Sequence, residues 1–224
     1  MAAPARHQLR GAVVSYHPVA SSRDLAGRHV FQACLLGQDI ALWRADDGTV
    51  NAWENRCPHR GVRLSLGVNL GDRLMCRYHG WRYDSGSGAC SHIPAHPEGP
   101  IPATLCARRF PVIEAGGLVF VALGDDTAAL PTLPETAIPL RALPVGRPAE
   151  AIAAALAGAG LAAAGPLHFA ETQGGATVHL LIQPASGTTC VIHGLADMSA
   201  EALPLQRHMS RLMESRRRAW EARP

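Results

Sequence analysis

Four side chains in this sequence have types and spacing that can do chemistry together. Cys57-Pro58-His59-Arg60-Gly61 is followed by Cys76-Arg77-Tyr78-His79-Gly80-Trp81, with sixteen residues between His59 and Cys76. Reduced to donors, this is C-x-H and then C-x-x-H. Two soft thiolates and two imidazoles suit either zinc or an iron–sulfur centre. Each half supplies one cysteine and one histidine, whereas zinc fingers commonly pair like with like. A two-iron centre with cysteines on one iron and histidines on the other asks for this distribution, provided that two loops face each other across it.

The elements that must position those loops read as short strands. GAVVSYHPVA, HVFQACLLG and DIALWRA are rich in apolar and β-branched residues and are separated by polar or glycine-containing breaks. Asp46-Asp47-Gly48 signals a turn into an alternating strand over 49–53. Further strands are expected at 74–76, 81–83, 109–113 and 117–123. Regular short strands predict a mainly β fold, a small antiparallel sandwich or barrel over residues 1–125. Residues 126–150 hold Pro131, Pro134, Pro139, Pro144 and Pro148, so neither a helix nor an interior strand is expected there, but a linker or surface strap. Residues 151–224 predict a short α+β region. It comprises a loose helix weakened by glycines within 149–165, two strands at 176–183 and 188–195, and a helix after Ser199. In that last helix Leu205, Met209, Leu212, Met213 and Trp220 recur near helical spacing.

CPHRG, CRYHGWRYD and the glycines after them resemble the Rieske domain of the ring-hydroxylating and demethylating oxygenases, of the vanillate-demethylase and phthalate-oxygenase kind. Tyr16-His17-Pro18-Val19-Ala20, Leu42-Trp43-Arg44, Ile93-Pro94-Ala95, Phe110-Pro111-Val112-Ile113-Glu114 and Gly117-Leu118-Val119-Phe120 extend the resemblance over residues 8–125. It implies a Rieske-type [2Fe–2S] cluster held by Cys57, His59, Cys76 and His79. Gly61 and Gly80 are expected to bring backbone amides close to sulfides, and Tyr78 and Trp81 to shield the cluster from water. Arg60 is placed either to stabilise the reduced state or to stand as a surface charge. Val62 and Trp81 stand where high-potential relatives carry a disulfide between the loops, so a lower-potential centre is expected. His59 and His79 are the expected electron exits.

Full oxygenase subunits of that family carry a mononuclear iron on two histidines and a carboxylate. After residue 100 no Asp or Glu is followed three residues later by His, and no two of His168, His179, His193 and His208 are five apart. The remaining arrangement is His168 with Glu171 as neighbours on a helical turn, joined by His179 or His193. No mononuclear Fe(II) site is expected. Cys34, Cys106 and Cys190 lie in strand-like runs and are expected to be buried.

Composition narrows the function further. Hydrophobic residues are 47% and charged residues 17%, which excludes wholesale disorder. No apolar run is long enough to cross a membrane, and no secretory signal is visible behind Arg6 and Arg10. Six cysteines without such a signal argue against a disulfide framework and for a cytoplasmic protein. All 21 basic residues are arginine, the net charge is only +3, and no basic stripe with aromatics suggests nucleic acid. The resemblance therefore implies an electron-transfer component or accessory subunit of a Rieske oxygenase system, with a reductase and an oxygenase subunit as partners and possible homo- or hetero-oligomers. The alternatives are a compact self-contained oxygenase, or a cluster-bearing redox sensor or interaction protein. Whether the chain itself turns over a substrate is left open.

Overall fold

The computed structural model describes residues 16–124, 130–134, 137–173, 175–197 and 202–222. Among them the strands are β1 (His17–Ser21), β2 (Val30–Leu35), β3 (Gln38–Arg44), β4 (Val50–Glu54), β5 (Val68–Asn69), β6 (Arg73–Met75), β7 (Arg82–Asp84), β8 (Cys90–His92), β9 (Val112–Ala115) and β10 (Leu118–Val121). The chain continues as β11 (Ala137–Pro139), β12 (Leu143–Val145), α1 (Ala149–Gly158), β13 (Ala162–Gly165), β14 (His168–Gln173), β15 (Ala176–Pro184), β16 (Cys190–Asp197) and α2 (Ala202–Glu221). The fold is predominantly β, a Rieske-type domain followed by a short α+β region, as the sequence predicts. The part of the GAVVSYHPVA strand expected over 11–15 lies outside the described residues.

The strands form four antiparallel sheets: β1-β10-β9, β2-β3-β4, β5-β6-β7-β8, and β11-β16-β15-β14-β13 with β12 also on β16. They stack as layers, and alternation along single strands explains why. In β3, Ala41 and Trp43 enter the core that contains Cys57, Leu74, Cys76 and Tyr83, while Ile40 and Leu42 enter a second core with Val19, Val119 and Val121. A strand covered on both faces needs no polar alternation, which is why DIALWRA is almost wholly apolar. β10 repeats the pattern. Val119 and Val121 face that second core, while Leu118 and Phe120 join Leu181 and Leu195 of the C-terminal sheet in a third. The far face of the C-terminal sheet packs Val178, Leu180, Ile182 and Ile192 against Ile152 and Leu156 of α1 and Leu205, Met209 and Met213 of α2.

Two expectations change. The proline segment is not only a strap: β11 and β12 pair with β16, where Pro139 and Pro144 sit at a sheet edge that can spare their missing N–H groups. The Ala/Gly-rich segment is not one loose helix. α1 ends at Gly158 with Ile152 and Leu156, four apart, fully buried, and Ala162–Gly165 then forms the edge strand β13.

Candidate metal centre

The loop after β4 and the loop between β6 and β7 have the same internal wiring. Cys57 N–H donates to Val62 O at 2.8 Å and Gly61 N–H returns to Cys57 O at 2.8 Å; Cys76 N–H donates to Trp81 O at 2.8 Å and Gly80 N–H returns to Cys76 O at 3.0 Å. Each ring closes only because its glycine takes a left-handed conformation, φ +73° at Gly61 and +71° at Gly80. The first loop is braced from outside by Asn55, whose Oδ1 accepts from Ser65 N–H at 2.7 Å and whose Nδ2 donates to Ser65 Oγ at 2.8 Å.

The four donors predicted from sequence lie on these two loops and meet across them in like pairs, Cys57 with Cys76 and His59 with His79. Cys57 and Cys76 are buried, 3% and 2% exposed, and the Tyr83 hydroxyl lies 3.1 Å from Cys57 Sγ. Burial and the neighbouring Cys57 push the Cys76 thiol above its ordinary value. A metal that takes this sulfur must displace its proton. His59 and His79 sit toward the surface with their Nδ1 atoms 3.1 Å apart. Two nitrogens each about 2.1 Å from one metal, at an angle between square and tetrahedral, lie about 3.0–3.4 Å apart. The donor set therefore fits a centre with buried sulfur and outward imidazoles. Desolvation, then the charges of His79 and Arg60, hold the His59 imidazole below its ordinary value.

Trp81 stacks on His59, centroids 4.2 Å apart at 5°. Tyr78 does not shield in the expected way. Its ring lies 3.8 Å from that of His79, but it is 61% exposed and projects beside the imidazole. Arg60 is exposed. Tyr83 was not singled out from sequence, although its place in the CRYHGWRYD motif, with Arg82 and Asp84 turned outward, is the signal that it points inward.

The C-terminal histidines arrange differently from the expected helical turn. His168 and Glu171 lie on strand β14 and face opposite ways: His168 toward the Rieske-domain side, Glu171 toward α2, where Arg216 donates to its two oxygens at 2.5 and 2.8 Å. His168 Nε2 instead meets His179 Nδ1 at 2.9 Å, and His193 Nε2 meets Gln183 Oε1 at 2.7 Å. Among the described residues, no three His, Cys, Asp or Glu side chains gather on one metal position. Cys190 is buried as expected, but Cys34 and Cys106 are only half-buried.

Two loops of this wiring, with this donor set on a stacked β fold, define the class. Residues 15–113 match the family described as Rieske [2Fe-2S] domain. Among its relatives is the protein named oxidoreductase NdmD of Pseudomonas putida, 36% identical over 236 residues, which covers 94% of this chain and 40% of that protein. Dicamba O-demethylase, oxygenase component, of Stenotrophomonas maltophilia is 42% identical over 97 residues, 43% of this chain and 28% of its own. The chain thus spans less than half the length of the curated relatives it matches. Its fold is also that of two solved structures. NdmA of Pseudomonas putida CBB5 superposes with a TM-score of 0.74 at 21% identity, covering 93% of this chain and 81% of that one. Apo dicamba monooxygenase superposes with a TM-score of 0.76 at 18% identity, covering 94% and 86%.

Proposed function

We propose that Cys57, His59, Cys76 and His79 hold a Rieske-type [2Fe–2S] cluster, and that the chain relays single electrons from a reductase to the iron of an oxygenase. When bound, the cluster supplies a one-electron ferric/ferrous couple. This chain's own residues do the rest. Cys57 and Cys76 keep the sulfur side dry, the Tyr83 hydroxyl donates to Cys57 Sγ, and the Gly61 and Gly80 turns let backbone approach the sulfides. His59 and His79 carry the outer side to the surface, with Trp81 holding the His59 ring in plane. Arg60 favours the more negative, reduced state. The single observation that carries the relay reading is the fate of Glu171. The carboxylate nearest His168 in the chain is turned to the other face of its sheet and doubly engaged by Arg216, so that among the described residues the His168–His179 pair has no third protein donor. Among the described residues no helix is long and apolar enough to cross a membrane.

A compact oxygenase is the second reading, favoured by two observations. His168 and His179 do come together at 2.9 Å, with a cavity of about 300 Å³ beside His168, and dicamba monooxygenase has a similar fold. Iron and acid-labile sulfide per chain, with EPR of the dithionite-reduced protein, separate the two. The relay reading expects about two irons with a Rieske signal. A third iron that binds nitric oxide and disappears in His179→Ala would overturn it in favour of the oxygenase.

A further inference from the structure

The cavity of about 300 Å³ beside His168 lies on the seam between the Rieske-type layers and the C-terminal sheet, and it shares no residue with the metal-centre loops. His17 of β1, the segment 130–132, the turn over 165–167 between β13 and β14, and Leu181 of β15 line it. No acidic or basic side chain other than histidine reaches it, and burial holds the His17 and His168 imidazoles below their ordinary value, so the wall is uncharged. One polar group is built into that wall. His168 is 1% exposed and its Nε2 is spent on His179 Nδ1 at 2.9 Å, but its Nδ1 is buried with no hydrogen-bond partner among the described residues. That nitrogen lies on the Gly165 side, 3.9 Å from where a Cβ on Gly165 would stand, and Gly165 is itself part of the cavity wall. A buried nitrogen left unpaired is costly and rare. The same wall holds a second costly feature. Leu167 has a left-handed backbone, φ +54°, which a bulky side chain disfavours, and the pairing of β13 with β14 shifts register between Ala163 and Gly165. A strained turn and an unspent nitrogen on one apolar cavity wall mark a binding site rather than packed core.

We propose that this cavity binds a small, neutral, largely apolar molecule carrying one hydroxyl group, which hydrogen-bonds to His168 Nδ1. A neutral imidazole donates from one nitrogen and accepts at the other. Whichever histidine carries the hydrogen of the His168–His179 bond, His168 Nδ1 is left either to donate or to accept, and a hydroxyl can do both. Leu167, Leu181 and Ile182 cover the apolar body. An ion would enter this cavity without a counter-charge, which disfavours it. A cavity of about 150 Å³ holds benzene, so this one has room for a substituted single ring. Because its walls come from β1 and from β15, an occupant ties the two sides of the seam together. The proposal goes beyond the relay reading and asks nothing of the metal centre.

Calorimetric titration of the full chain tests it with three probes of one shape: phenol, toluene and benzoate. Phenol is expected to bind with a dissociation constant of about 1 mM or tighter. Toluene is expected to bind about tenfold more weakly, because it leaves Nδ1 unpaired, and benzoate more weakly again, because it brings a charge into an uncharged cavity. In His168→Phe phenol is expected to lose about tenfold and to bind no better than toluene. Thr132→Trp, at an exposed residue on the cavity rim, is expected to weaken phenol and toluene alike; it is read where His168→Phe does not fold. Nitrogen NMR of histidine-labelled protein is expected to show the His168 Nδ1 resonance move with phenol and stay with toluene. Equal affinities for phenol and toluene in the unaltered chain, phenol binding that survives these substitutions, or a His168 resonance that ignores saturating phenol each overturns the site. None of these readouts touches the metal centre, so iron content and EPR remain the separate test of the relay reading.

Discussion

The Tyr83 hydroxyl reaches the sulfur of Cys57, 3.1 Å away, across the floor of the metal centre. Burial pushes the phenol well above its ordinary value, and the neighbouring cysteines push it further, so the oxygen keeps its proton and would donate to a Cys57 thiolate holding a metal. The bond strengthens as the centre gains negative charge and therefore favours reduction. Tyr83→Phe is expected to keep its packing and lower the midpoint potential by about 50 mV, the equivalent of about 1 kcal/mol for one electron. Redox titration of both proteins checks this; equal potentials would show that the hydroxyl does not act on the sulfur.

Gly80→Ala tests the second loop. The backbone there is left-handed at φ +71°, and an added Cβ would stand 3.0 Å from Pro94 Cγ. The conformation alone costs about 1–2 kcal/mol in a residue with a side chain. Lower iron content after identical purification is expected, with thermal unfolding at lower temperature. Full occupancy and unchanged melting would mean that the loop tolerates another conformation.

His193 predicts a pH dependence. Complete burial pushes its imidazole down to about 4 from an ordinary value of 6.5. Because the folded value lies below the unfolded one, the unfolded chain takes up the proton first. Stability attributable to this residue is therefore full above about pH 6.5 and is lost as pH falls toward about 4, a total of roughly 3 kcal/mol. Gln183, oriented by its own bond to Cys34 O at 2.7 Å, turns its Oε1 to accept from His193 Nε2–H. Denaturant unfolding between pH 7 and 4 should show a shallower slope in His193→Gln; parallel slopes would reject the assignment.

Leu181→Ala probes the seam between the Rieske-type layers and the C-terminal sheet. Leu181 is 2% exposed and packs with Leu118, Phe120 and Leu195. Truncation is expected to destabilise by about 2–5 kcal/mol. Loss of cluster absorbance and of helical circular dichroism should shift together. A shift in the helical signal alone would show two separately folding units.

The two loops that carry the proposed donors were legible because the spacing of cysteine and histidine within each is short and fixed. The strands of the layers beneath were legible from alternation and turn residues. What escaped came from long-range packing. Nothing local at Tyr83 marks a sulfur partner, since Cys57 comes from the other loop, 26 residues earlier in the chain. Tyr78 reads as a shield from its motif, yet its exposure depends on how far the second loop projects. His168 and Glu171, three apart, share a face on a helix and oppose each other on a strand, so one error of period inverted their relation. The prolines of β11 and β12 argued correctly against an interior strand, but could not reveal that β16 offered an edge.

The shared strands have one further consequence. Because β10 faces a core on each side, the layers resemble plates with common faces rather than beads on a string. Cutting the chain between Gly124 and Ala137 would leave the Rieske-type portion displaying Tyr16, Leu118, Phe120 and Ala122, all now buried, as a bare apolar wall. A fragment trimmed there to isolate the metal centre would be sticky by construction, and its self-association could be mistaken for a natural interface.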